Sequence, residues 1–354
     1  MHAGGMIHFR PTQRYRERDT CSQDQLCCDK FLGYCRDSRH PKLGVREMSE
    51  MKVVAEGLRF PEGPVYMADG SVVVVEIETG EIARCYPDGT VKRVATTGGG
   101  PNGAAIGPDG KLYVCNNGGF NWSVTEGMLT PGHQPDNYIG GRIQRVDLDT
   151  GQVDDVYTEC DGFPLRGPND IVFDEHGGFY FTDLGKSRPR DLDKAGIYYA
   201  VPDGSKIVCC IYGLDHLNGI ALSPDNKTVY AAETITGRVW AWEIDTPGVF
   251  KPGDLWSGPG KLLYNFEGYQ LLDSMAVDSA GNICVATLIT GCISVISPQG
   301  KLLEQIKVPK WDIFVTNICF GGPDMRTAYI TSSGWGLMYA MEWARPGHVL
   351  NANA

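Results

Sequence analysis

No apolar stripe recurs at helical spacing along this chain; its hydrophobic residues come in short runs cut by Asp-Gly or Asn-rich turns. The runs at 72–75, 112–115, 179–182, 229–232, 283–286 and 328–331 are β-branched, aromatic or small throughout, which predicts strands. A turn precedes each one: Asp69-Gly70, Asp109-Gly110, Asp174 to Gly178, Asp225-Asn226, Asp278 to Gly281 and Gly321 to Asp324. Asp, Asn and Gly tolerate positive φ, so these turns join consecutive strands as hairpins. Ahead of each turn stands another short strand with a polar opening. The six openings read Pro61-Glu62-Gly63-Pro64, Pro101-Asn102-Gly103-Ala104, Pro168-Asn169-Asp170-Ile171, Leu217-Asn218-Gly219-Ile220, Leu272-Asp273-Ser274-Met275 and Thr316-Asn317-Ile318-Cys319.

From Glu62 to Asn317 the unit recurs about every 51 residues. Four strands per unit, repeated six times, predict an all-β, six-bladed β-propeller rather than a sandwich or a helical solenoid. The sixth unit runs out near Trp343 after three strands, and residues 51–56 can supply its outer strand, so that an N-terminal strand closes the ring. Residues 48–354 are therefore expected to form a single propeller domain. Residues 1–47, rich in Arg, Asp and Gln and without either periodicity, are expected to be a disordered leader or accessory segment.

Composition narrows the partners. The chain has 354 residues, 45 glycines, 21 prolines and a net charge of -11, an acidic balance that disfavours nucleic acid. No apolar run approaches a membrane span, and the start lacks the apolar stretch of a secretory signal. The cysteines of the main body (Cys85, Cys115, Cys160, Cys209, Cys210, Cys284, Cys292 and Cys319) read as reduced thiols, and Cys21, Cys27, Cys28 and Cys35 lie in the leader. A cytoplasmic location is expected.

Aligning the openings puts Glu62, Asn102, Asn169, Asn218, Asp273 and Asn317 at one equivalent position, each with a side-chain oxygen. Propeller symmetry brings them around one point. Two carboxylates and four amides, without sulfur or imidazole, suit a hard cation: calcium first, then magnesium, with manganese or zinc as substitutes. The competing reading is that each residue merely caps a turn.

Phe60-Pro61-Glu62-Gly63-Pro64, Gly167-Pro168-Asn169-Asp170-Ile171, Asn218-Gly219-Ile220-Ala221-Leu222-Ser223-Pro224-Asp225, Glu233-Thr234 and Thr236-Gly237-Arg238-Val239 resemble signatures of the senescence-marker-protein/gluconolactonase/luciferin-regenerating-enzyme family. The resemblance covers about residues 51–343. It implies a six-bladed propeller with an axial calcium or other divalent ion held by Glu62, Asn169, Asn218 and Asp273. It further implies hydrolysis of a lactone or similar ester, with Asp273 as the base. Family members acting on sugar lactones often carry an Arg two residues before the third Asn; here that position is Gly167, with Arg166 one further back. A simple aldonolactone substrate is thereby put in question.

Substrate contacts are expected from Asn102, Asn117, Arg166, His216 and Trp122. The long loops 116–141 and 183–195 should stand over the pocket, carrying Phe120, Trp122, Met128 and Tyr138 on one and Asp183, Lys186 and Arg188 on the other. Trp311 and Trp335 join them from later loops, and these aromatics either line the pocket or pack the lid. Three rival readings remain: a phosphotriesterase of the diisopropyl-fluorophosphatase type, a non-catalytic binding propeller, and a metal-free propeller related to strictosidine synthase.

Overall fold

The computed structural model describes residues 50–253 and 260–352, and every regular element among them is a β-strand. Six antiparallel sheets follow one another along the chain. Their innermost strands are Pro61–Tyr66, Pro101–Ile106, Pro168–Phe173, Leu217–Leu222, Leu272–Val277 and Val315–Gly321, and each touches the next until the sixth meets the first. This is a six-bladed β-propeller. The second strands run Val72–Glu76, Leu112–Asn116, Phe179–Asp183, Thr228–Glu233, Ile283–Thr287 and Thr327–Ser332, extending each expected run by one or two residues.

Six apolar clusters hold the ring, one between each neighbouring pair of blades. A second strand such as Val72–Glu76 is buried at every position because both of its faces meet another blade. Blade 6 takes three strands from the chain's end and its fourth from Lys52–Ala55, which pairs antiparallel with Leu337–Glu342. The expectation for residues 1–47 lies outside the described residues.

Each innermost strand begins on one face, here called the top. Loops between second and third strands return to it. In blade 2 that loop contains an extra hairpin, Trp122–Thr125 with Met128–Pro131. At the opposite face, the segment after Trp343 crosses the axis. Gly347 N donates to Met325 O (2.7 Å), His348 N to Val277 O (2.9 Å) and Asn351 Nδ2 to Phe173 O (2.9 Å). Between this strap and the axial residues lies a chamber of about 270 Å³ walled by all six innermost strands.

Candidate metal centre

The expected axial positions sit where the innermost strands break register. Pro101 pairs with Asn116 but Ala104 with Val114, so three steps on one strand oppose two on the other. The same shift occurs at the opening of blades 1, 3, 4 and 5, while in blade 6 the extra residue falls one step earlier, between Val315 and Asn317, where two steps oppose one. These are β-bulges, which re-aim a side chain and bend the strand. Glu62, Asn102, Asn169, Asn218, Asp273 and Asn317 are thus strand residues turned toward the axis by a bulge, not caps of a turn. Glycine follows in three blades because the strands approach so closely: a Cβ on Gly103 would lie 2.4 Å from Asn169 O, and one on Gly219 2.7 Å from Asp273 O.

Five of the six are buried, at 2 to 6 % exposure, and Asp273 alone is half-buried. Glu62 Oε2 accepts from Gly63 N and Asn317 Nδ2, both at 2.6 Å, while Oε1 is buried without a partner. Asn169 Oδ1 is orphaned in the same way. Asn317 spends its amide on Glu62 and its Oδ1 on Ile318 N (2.7 Å), so it braces a ligand oxygen and does not offer one. Asn218 Oδ1 takes a long bond from Ser274 Oγ (3.4 Å).

Burial pushes Glu62 up to about 7. Asp273 is held well above the usual carboxylate range, by burial first and then by the Glu62 charge. A third carboxyl joins them. Asp170, pushed up to about 8 by burial and by Glu62, accepts from Ile171 N (2.9 Å) and Ile220 N (3.3 Å). Two buried acids, a partly buried third and two idle acceptor oxygens about one axis are costly unless a cation neutralises them. Among the described residues no group of three or more His, Cys, Asp or Glu side chains forms a metal site. The donor set that fits is mixed, carboxylate with amide oxygen, as a hard cation accepts.

The expected substrate residues divide. Asn102 is buried at the axis. Asn117 is buried at the top of blade 2, with its N–H on Gly100 O (2.8 Å). His216 holds a left-handed backbone (φ 54°) two residues before Asn218, and its Nδ1 is buried without a partner. Arg166 is exposed; its backbone, not its guanidinium, is engaged, through Asp183 Oδ2 (2.7 Å) and Tyr138 Oη (2.6 Å). Trp122 packs against Phe60 at 5.1 Å and Phe120 at 6.1 Å, and Phe60 in turn against Phe314 at 5.3 Å. These rings fasten the lid to the ring. Lys186, on the long loop expected over the pocket, is 1 % exposed.

The sequence reading missed Asp170 and Thr182. Thr182 Oγ1 accepts from Asp170 N (3.1 Å) and donates to Asn218 O, tying blade 3 to blade 4 beneath the axial residues. A signal for Asp170 was present: the third opening reads Asn-Asp where its neighbours read Asn-Gly.

The sequence profile of the SMP-30/Gluconolactonase/LRE-like region matches residues 60–334. The lactonase drp35 of Staphylococcus aureus (strain MRSA252) is 31% identical over 271 residues, spanning 75% of this chain and 73% of the relative. Among solved structures, a gluconolactonase from Xanthomonas campestris superposes with a TM-score of 0.66 at 22% identity, over 86% of this chain and 95% of that one. The calcium-binding protein regucalcin from Agrobacterium tumefaciens gives 0.65 at 18% identity, over 85% and 98%. At these identities the two solved structures establish a shared fold.

Proposed function

Because the chain belongs to the SMP-30/gluconolactonase/LRE-like family, we propose that it is a hydrolase that opens a lactone with the help of one divalent cation, calcium, on the propeller axis. The observation that carries this reading is the pair of orphaned oxygens, Glu62 Oε1 and Asn169 Oδ1, buried on the axis that the partly buried Asp273 shares. Glu62, Asn169, Asn218 and Asp273 are the residues that would hold the ion. Bound there, a divalent cation supplies Lewis-acid polarisation of a carbonyl oxygen. An all-oxygen set favours calcium over zinc, and calcium acidifies water weakly, so a positioned base is needed.

Asp273 is the least buried of the six axial groups, which suits it to meet substrate and water. Its carboxylate takes a proton from water as the water oxygen bonds to the lactone carbonyl carbon. The proton then passes to the ring oxygen as the C–O bond breaks, which leaves a hydroxy acid. Asn317 and Gly63 N hold Glu62 Oε2, so that carboxylate keeps one oxygen aimed at the axis while the charge around it changes. Asn102, Asn117 and His216 are assigned to substrate contact in this reading, which the buried Asn102 and Asn117 make only once the loops above them shift, with the Trp122 lid above. The reading takes residues 48–354 as one catalytic domain. It places the enzyme in the cytoplasm, in keeping with eight described cysteines that are all free thiols.

The test is Asp273→Asn, assayed with calcium bound. Turnover of lactones should fall about 10²- to 10⁴-fold while the protein still takes up calcium. Near-normal turnover in a calcium-loaded variant refutes the role. A phosphotriester run alongside separates the lactonase from a phosphotriesterase on the same scaffold.

A further inference from the structure

Two asparagines follow one another at the top of blade 2, and their side chains are used differently. Asn116 is fully engaged: Oδ1 accepts from Gly100 N (2.9 Å) and Gly118 N (3.0 Å), and Nδ2 donates to Gly98 O (2.8 Å) and Gln144 Oε1 (2.9 Å). Its role is to shape the loop. Asn117 is half engaged. Its Oδ1 accepts from Gly119 N (2.9 Å) and from Lys186 Nζ (3.0 Å), but its Nδ2 is buried without a partner.

Both groups on Oδ1 are donors. Turning the amide over would set N–H against N–H, so the orientation is fixed and the idle group is the donor. An unpaired buried N–H costs roughly 1–3 kcal/mol.

Lys186 is itself an anomaly. It reaches across from the long top loop of blade 3, at 1 % exposure, with no carboxylate at ion-pair distance among the described residues. Its Nζ donates to Asn117 Oδ1 and Gly119 O (2.6 Å), and it lies 3.9 Å from the Phe120 ring centroid and 5.6 Å from that of Tyr138. Asp183 and Asp193, on its own loop, are the charges that act on it, and burial outweighs them, pushing the ammonium down to about 7. A buried cation spent on two neutral oxygens stabilises the fold poorly. It does hold one amide in one orientation.

We propose that Lys186 is a positioning residue that fixes the Asn117 amide, and that Asn117 Nδ2 is the donor to an acceptor oxygen of the bound ester. This rests on the lactonase reading above. Placement supports it: Asn117 N bonds Gly100 O, two residues before the axial Asn102, on the face where the long loops gather. The donor is covered by packing in this structure, so a ligand that reaches it displaces part of the loop above. The contact asks for a substrate with a hydrogen-bond acceptor on the blade 2 side of the axis, the ester oxygen or a ring substituent. It does not require an anion, because the donor is a neutral amide.

The experiment compares the wild-type chain with Asn117→Ala, Lys186→Met, Lys186→Arg and the double variant Asn117→Ala/Lys186→Met. It measures kcat and KM on a γ-lactone, calcium affinity by calorimetry, and Tm. Each of the first two variants should lower kcat/KM about 10- to 100-fold, with calcium affinity within about twofold of wild type. The double variant should be no worse than the poorer single one, because Lys186 acts through Asn117. Lys186→Arg, which keeps a donor, should recover part of the loss. A purely structural role predicts instead a lower Tm with unchanged kcat/KM per folded molecule, or losses that multiply in the double variant; either result overturns the proposal. If the wild type cleaves lactones and Asn117→Ala matches it, the positioning pair fails and the lactonase reading stands. A wild-type chain that cleaves no lactone overturns both.

Discussion

Replacing Glu62 by glutamine separates the two effects the proposal gives this axial carboxylate: a burden on the cation-free ring and recruitment of the ion. An ordinary carboxyl of this kind titrates at 4.5, and burial moves Glu62 up to about 7. Between those pH values the folded chain keeps a proton that the unfolded chain has released. Stability of the cation-free protein therefore falls as pH rises through that window, and the full penalty stands above pH 7. At about 1.4 kcal/mol per pH unit the penalty is roughly 3 kcal/mol. Glutamine removes the charge and keeps an oxygen for Gly63 N and Asn317 Nδ2, which hold Glu62 Oε2 at 2.6 Å. In chelator at pH 8, Glu62→Gln should therefore be the more stable protein by up to about 3 kcal/mol. At about 2 cal/mol/K per residue over roughly 300 residues, this corresponds to a Tm about 5 °C higher. At pH 4.5 the two proteins should unfold together. Calcium should then raise the wild type by mass action and leave the variant where it was. The assay is urea unfolding at both pH values, with chelator and with calcium. A variant less stable than wild type in chelator at pH 8, or one stabilised equally by calcium, refutes the reasoning.

Other outcomes follow from the same geometry. Gly103→Ala places a Cβ 2.4 Å from Asn169 O and 2.5 Å from Asp170 Cα, so it should cost about 1–3 kcal/mol in urea unfolding and weaken calcium binding by calorimetry. Gly110→Ala, at φ +73° with nothing within 4 Å, should cost about 1 kcal/mol and leave calcium affinity alone. Arg345→Ala strips Asp278, fully buried, of its Nε partner and Glu304 of an Nη2 bond at 2.8 Å. It should cost about 1.5–3 kcal/mol and speed amide exchange at 346–351, the strap beneath the axial chamber.

The architecture was legible because a propeller repeats its grammar. Six Asp/Gly hairpins and six β-branched runs at one period leave little else to build, and the second strands lie within one or two residues of where the runs begin and end. The ring of axial residues was legible for the same reason. What each axial residue does was not. Asn317 occupies the same place in its opening as Asn169, yet it donates to Glu62 while Asn169 Oδ1 stays idle, and the sequence does not distinguish them. The bulge that turns these residues inward leaves no mark beyond glycine at Gly63, Gly103 and Gly219, which reads equally well as a turn. The burial of Lys186 was not legible because it depends on Phe120, Tyr138 and Gly119, which come from another blade's loop. The C-terminal strap is short, without periodicity, and defined by contacts to blades 3, 5 and 6, so no local pattern announces it.

The measurement that bears most directly on the central claim is hydrolysis of a lactone panel by chelator-stripped protein, before and after adding calcium, magnesium, manganese or zinc. The panel holds sugar lactones, alkyl γ- and δ-lactones, an aryl lactone and one phosphotriester. Lactone cleavage that vanishes in chelator and returns with calcium is the predicted result. Folded protein that cleaves none of them with any of the four ions contradicts it.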